Sequence, residues 1–88
     1  MWVYPNPTES RGTVRISVAE PAAAASVSVY DALGRRVAVQ HDGPMTAERH
    51  DLAFEAGSFA PGINVVQVRV TPETGAAWTE VRRVSVAR

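Results

Sequence analysis

The run Ser26-Val27-Ser28-Val29-Tyr30-Asp31-Ala32-Leu33-Gly34-Arg35-Arg36-Val37-Ala38-Val39 reads as strand, tight turn and strand. Val27 and Val29 alternate with Ser26, Ser28 and Tyr30, the two-residue period of a half-buried strand with β-branched residues inward. Asp31 and Gly34 hold the first and fourth positions of Asp31-Ala32-Leu33-Gly34, the preference of a type I turn. After the turn, Val37 and Val39 are expected to face inward and Arg36 and Gln40 outward.

The same period recurs on both sides of this hairpin. Val14, Ile16 and Val18 alternate with Thr13, Arg15 and Ser17, and Leu52 and Phe54 alternate with Asp51 and Glu55. Val66, Val68 and Val70 alternate with Gln67 and Arg69, while Ile63 and Val65 lie in the opposite phase, which predicts a bulge or a strand buried on both faces. In the last segment Trp78, Val84 and Val86 share one phase, and Val81 and Arg83 the other. Pro61-Gly62 has the order wanted at the centre of a type II turn. Asp42-Gly43-Pro44 and Thr71 to Gly75 are expected to be loops, and Ala22 to Ala25, after Pro21, a connection. About seven short strands without a helical period predict an all-β fold, a small antiparallel immunoglobulin-like β-sandwich rather than a closed barrel. The cysteine–tryptophan–cysteine hallmark of antibody domains is missing, so the expectation concerns architecture and not kinship.

The 88 residues are expected to form a single domain, 1–88. A chain of this size buries little more than ~60% of its unfolded surface, which leaves a thin core and little room for an active-site cleft. There is no cysteine, hence no disulfide framework, thiolate metal site or cysteine nucleophile. Nine basic residues, all arginine, balance nine acids. That balance gives no electrostatic footprint for nucleic acid or an anionic membrane. No apolar run approaches the ~20 residues of a membrane-crossing helix. Met1-Trp2-Val3-Tyr4 lacks the basic start and apolar region of a signal peptide, so Met1 is expected to be a start codon added to an excised domain whose natural chain continues upstream.

Candidate chemistry is sparse. His41-Asp42 and His50-Asp51 are the only histidines, each beside a carboxylate. Neighbours on a strand face opposite ways, so neither pair makes a triad or a metal face. There is no Gly-rich phosphate loop, no Gly-x-Ser-x-Gly elbow and no His-Glu-x-x-His. The expectation is no enzyme, no cofactor and no metal.

Four short anchors remain. Tyr4-Pro5-Asn6-Pro7 cannot be a central strand, because its prolines donate no backbone hydrogen bond, and Trp2 or Tyr4 is expected over the open end of the sandwich. Val29 to Arg35 is the Tyr-Asp hairpin quoted above, Ala60-Pro61-Gly62 leads into the strand-like run to Val70, and Arg82-Arg83-Val84 runs on through Val86 to Arg88. Arg82 and Arg83 are adjacent and so point to opposite faces. In this order, from Val3 to Arg88, the anchors resemble the type A C-terminal sorting domain of the type IX (Por) secretion system. One position departs: a Tyr is usual two residues after the Gly of the third anchor, where this chain has Asn64.

The resemblance implies a role. Cargo lying upstream in the same chain would reach the periplasm, be recognised by the type IX outer-membrane machinery, and arrive at the cell surface or outside the cell. A sortase-type cysteine protease would then remove the domain upstream of Trp2, with surface attachment of the cargo in some cases. The residues it singles out are Pro5, Asn6, Pro7, Asp31, Gly34, Gly62, Arg82, Arg83, Val84, Val86 and Arg88. Partners would be that machinery, the protease and the cargo, with no nucleic acid and no membrane insertion, and the domain a monomer or a weak edge-strand dimer. A basic terminal strand serves edge protection as well as strand addition to a partner. The alternative is an immunoglobulin-like or fibronectin-like accessory module, a carbohydrate binder or spacer of a bacterial surface enzyme. Such a binder needs a row of exposed aromatics, hard to build from Trp2, Tyr4, Tyr30, Phe54, Phe59 and Trp78.

Overall fold

The computed structural model describes residues 1–4 and 11–87. Among the described residues there are seven strands, β1 (Trp2–Tyr4), β2 (Arg11–Ser17), β3 (Ala22–Tyr30), β4 (Arg36–Met45), β5 (Arg49–Glu55), β6 (Gly62–Pro72) and β7 (Trp78–Val86), with a 3-10 turn at Ala56–Ser58 between β5 and β6. They form two antiparallel sheets, ordered β1-β2-β5 and β4-β3-β6-β7. The chain crosses between sheets after β2, β4 and β5, which makes the expected small immunoglobulin-like sandwich.

The core is the inner face of both sheets. Val14 and Ile16 of β2 meet Val27, Val29, Val66, Val68 and Val70 of β3 and β6, all essentially inaccessible to solvent. β-Branched residues suit this pleated, packed surface because their χ1 is already restricted. Within the larger sheet Val27 pairs with Val68 and Val29 with Val66.

Several segments depart from the sequence reading. Ala22 to Ala25 is not a connection but the first part of β3, paired on one side with β4 and on the other with β6 through register irregularities. Two ladders override the weak strand propensity of alanine. Asp42-Gly43-Pro44 is not a loop but the end of β4, where an edge strand tolerates a proline. Thr71 and Pro72 likewise still belong to β6.

The phase of β4 also differs. Val37 and Gln40 are extra residues, because Tyr30 pairs with Arg36 but Val29 with Ala38, and Ser28 with Val39 but Val27 with His41. These two-against-one bulges put Ala38 on the inner face and leave Val37 and Val39 exposed. In β6 there is neither a bulge nor burial on both faces. Its pairing with β7 runs unbroken from Gly62↔Val86 to Val70↔Trp78, Asn64 continues the inner row, and Ile63 and Val65 belong to the outer face. Trp2 and Tyr4 do not cover the open end; β1 pairs with β2, so both lie beside Arg15 and Thr13 on the outside of the smaller sheet while Val3 packs on the core.

Gly12 faces Phe54 across β2 and β5, and a Cβ at Gly12 would come within 2.2 Å of the Phe54 ring. That ring in turn stacks on Phe59 at 5.9 Å. Gly12→Ala is therefore expected to destabilise the chain by about 1–3 kcal/mol through overpacking. Urea denaturation checks this, and an unchanged midpoint would mean that the ring is not seated on the glycine.

Candidate recognition surface

The Asp31 turn is built by one carboxylate. Asp31 Oδ1 accepts hydrogen bonds from the backbone N–H groups of Leu33 and Arg35, both at 3.0 Å, and Oδ2 accepts one from Arg35 Nε at 2.8 Å. The Gly34 N–H closes the turn on the Asp31 carbonyl at 3.0 Å, and Gly34 takes a φ of 83°. A type I turn followed by a left-handed glycine is a favoured three-residue hairpin connection. The Arg35 backbone N–H, the largest effect, holds the Asp31 carboxyl below the usual carboxylate range against the opposing effect of burial, with the Arg35 guanidinium and the Leu33 N–H adding to it. The result is a hydrogen-bonded loop with Leu33 at its tip, 79% exposed.

The third anchor is polar inside. Gly62 opens β6 with a φ of 108°, which suits glycine, and two residues on Asn64 is buried. Its Nδ2 donates to the Ala60 carbonyl at 3.1 Å and lies 3.5 Å from that of Gly62, while Oδ1 has no partner among the described residues. Two carbonyls fix which end of the amide faces them, because only the nitrogen donates.

In β7, Val84 and Val86 are core residues. Arg82 and Arg83 occupy opposite faces, as their adjacency requires. Arg82 is in the inner phase, opposite Val66, where it pairs with Glu80 at 2.6 Å; Arg83 lies opposite Val65 on the outer face. Glu80 also takes the N-terminal ammonium at 3.4 Å. Register brings Gly62 beside Val86 and the end of β3, Tyr30, beside Val65, so the Asp31 turn, Gly62 and Val86 gather at one end of the larger sheet. Pro5, Asn6, Pro7 and Arg88 lie outside the described residues.

The two outer faces differ in kind. On the smaller sheet Arg15 pairs with Asp51 at 2.8 Å and Arg11 with Glu55 at 3.3 Å, and the Arg15 guanidinium lies 5.4 Å from the centre of the Tyr4 ring. The Arg15 hydrogen bond holds the Asp51 carboxyl below its ordinary range. On the larger sheet the rows read Asp42-Ser26-Arg69-Thr79, Val39-Ser28-Gln67-Val81 and Arg36-Tyr30-Val65-Arg83, with Ile63 beside Ser85. Sequence reasoning missed the exposed aliphatic residues of this outer face because it assigned Val39 to the core; the signals were the off-phase residues Ile63, Val65 and Val81.

The histidines serve the backbone. His41 donates Nε2–H toward the Gly43 and Pro44 carbonyls, and His50 toward that of Thr46 at 2.8 Å. No cluster of three or more potential metal ligands occurs among the described residues. At the end away from the Asp31 turn, an open cleft of about 340 Å³ is lined by Val18, Glu20, Val70, Pro72 and Trp78.

Among the described residues, the polar groups of Asp31, Asn64 and the two histidines shape turns and strand ends. The model of the secretion system C-terminal sorting domain matches residues 2–76, and the chain belongs to that family. It carries a type IX secretion signal, which implies interaction with the type IX machinery and export to the cell surface or extracellular space. The matched residues include the first three anchors and stop before β7. No curated protein and no solved structure matches the chain.

Two outcomes follow from these contacts. Asp31 and Asp51 both have depressed folded pKa values, so their contribution to stability is complete above the ordinary carboxylate value of about 4 and is lost as pH falls through the folded values. Melting curves in acid should show this loss, with a shallower pH dependence in Asp31→Asn. For Asn64, truncation to Ala is expected to cost about 1–3 kcal/mol, whereas Asn64→Leu, which removes the unmet oxygen and refills the space, should cost less in the same denaturation assay.

Proposed function

We propose that residues 1–88 act as a single C-terminal sorting domain for a cargo lying upstream in the same chain. The cargo passes through the periplasm, the folded domain is recognised by the type IX outer-membrane machinery, and a sortase-type cysteine protease cleaves upstream of Trp2, joining the cargo to the cell surface or releasing it. The family match over residues 2–76 is the observation that carries this reading. The domain itself contributes binding and no chemistry.

The proposed site residues divide by role. Pro5, Asn6, Pro7, Asp31, Gly34 and Gly62 act by shaping the fold that is recognised. Val84 and Val86 anchor β7 to the core, and Arg82, Arg83 and Arg88 give that strand its charge. In support, β7 lies at the edge of the larger sheet, paired with β6 among the described residues, an arrangement suited to strand addition by a partner. The same edge makes the domain a monomer or a weak edge-strand dimer. The accessory-module alternative lacks its aromatic row: Phe54 and Phe59 are in the core, and Tyr30, Trp78 and the Trp2–Tyr4 pair occupy three separate surfaces.

The test is a reporter carrying an export peptide, fused ahead of this chain and expressed in a bacterium that has the type IX machinery. Reporter in the medium or on the surface is expected, with the domain cleaved off. Retention in the periplasm, when an established sorting domain exports the same reporter, would sink the proposal. Deleting residues 82–88 should abolish export, but it also strips Val84 and Val86 from the core. Arg82→Glu, which leaves those valines in place, is the cleaner probe of the terminal strand and should reduce export.

A further inference from the structure

We infer that the outer face of the four-stranded sheet is the surface through which this domain docks on its sorting machinery, and that the partner presents an apolar patch edged by carboxylates. The inference rests on the sorting reading above and adds the face and the chemistry of the contact.

An antiparallel sheet with one face on the core ordinarily turns a polar face to water. Here the solvent-facing rows carry Val39, Ile63 and Val81, which are 49%, 46% and 48% exposed, around the half-buried Tyr30 and Val65. Val39 is there because of the two bulges in β4, which turn a valine outward that an unbroken strand would have buried. Bulges re-aim side chains in this way at functional edges.

Charge decides the partner. The rows of this face hold three arginines, Arg36, Arg69 and Arg83, against one acid, Asp42. Arg36 and Arg69 have no ion pair among the described residues. On the opposite outer face Arg11 and Arg15 are each matched by an acid across the strands. The chain is neutral as a whole, so the excess on one face is a local feature. A second copy is a poor occupant, because a two-fold contact through this face would set arginines against arginines. An apolar protein surface with an acidic rim satisfies both the valines and the charges. Short β-branched side chains on a paired sheet also lose little freedom on contact.

The experiment uses the reporter fusion with two variant pairs, Val39→Glu with Val81→Glu and Arg36→Glu with Arg69→Glu. Ser17→Glu with Ala53→Glu on the other sheet is the control. Each face pair is expected to lower extracellular reporter by about tenfold or more, from like charge and lost apolar contact, with melting temperature near that of the parent. The control pair should export normally. If the parent fusion itself stays in the cell, the sorting reading fails. If the parent is exported and both face pairs are exported equally well, this inference fails and the sorting reading stands. Should the valine pair unfold, the arginine pair, on exposed side chains, decides. Purified chain is also sedimented with phosphatidylglycerol vesicles. Binding there that the face variants abolish would assign the face to a lipid surface and overturn the protein partner.

Discussion

The structure depends on one ladder, the pairing of Val27 with Val68 and Val29 with Val66 at the centre of the larger sheet. These four side chains are completely buried, and each stands between its sheet neighbours and the Val14–Ile16 row of the other sheet. Full burial of a valine or isoleucine is worth roughly 1.5–3 kcal/mol, so a handful of such positions is a large part of what stabilises a chain this short. No cysteine is present to reinforce them. With the interior committed to close-packed aliphatic residues, recognition is left to turns, edges and outer faces.

Those exterior features are fixed to different degrees by the same core. The Asp31 turn follows directly from β3: once Tyr30 is paired with Val65, the chain must reverse at once, and a carboxylate that accepts three hydrogen bonds holds the reversal in one shape. Gly62 stands at the other strand of the same ladder, paired with Val86. Anchors separated by about thirty residues in sequence thus come to one end because β3 and β6 are central neighbours. Their spacing along the chain is a consequence of topology.

Much of this was readable from sequence, for identifiable reasons. Alternation located β2, β5 and the core of β3 because aliphatic residues on the inner face of each alternate with mostly polar ones on the outer face, and turn chemistry located Asp31, Gly34 and Gly62. The failures share a cause. Ala22 to Ala25, Pro44 and Val39 were misread because bulges and edge positions relax the rules that alternation and propensity assume. A bulge leaves no residue signature here, since Val37 and Gln40 are ordinary strand residues. Asn64 was visible as a departure from the family, but its buried amide, clamped to the Ala60 carbonyl, was not. A polar residue in the inner row is a tertiary fact, set by the turn that precedes it.

β7 joins the two demands on an exported signal, to stay soluble in transit and to be bound on arrival. Its inner phase carries Glu80 and Arg82, charges that a second strand could bury only at the expense of their hydration. β1 also lies against β7. Together they oppose uncontrolled pairing along the first half of the strand. The second half, with Val84 and Val86 fixed in the core, is held in place by packing instead. Its outer side chains, Val81, Arg83 and Ser85, belong to the exposed face of the larger sheet. Edge protection and face presentation are therefore carried by alternate residues of one strand.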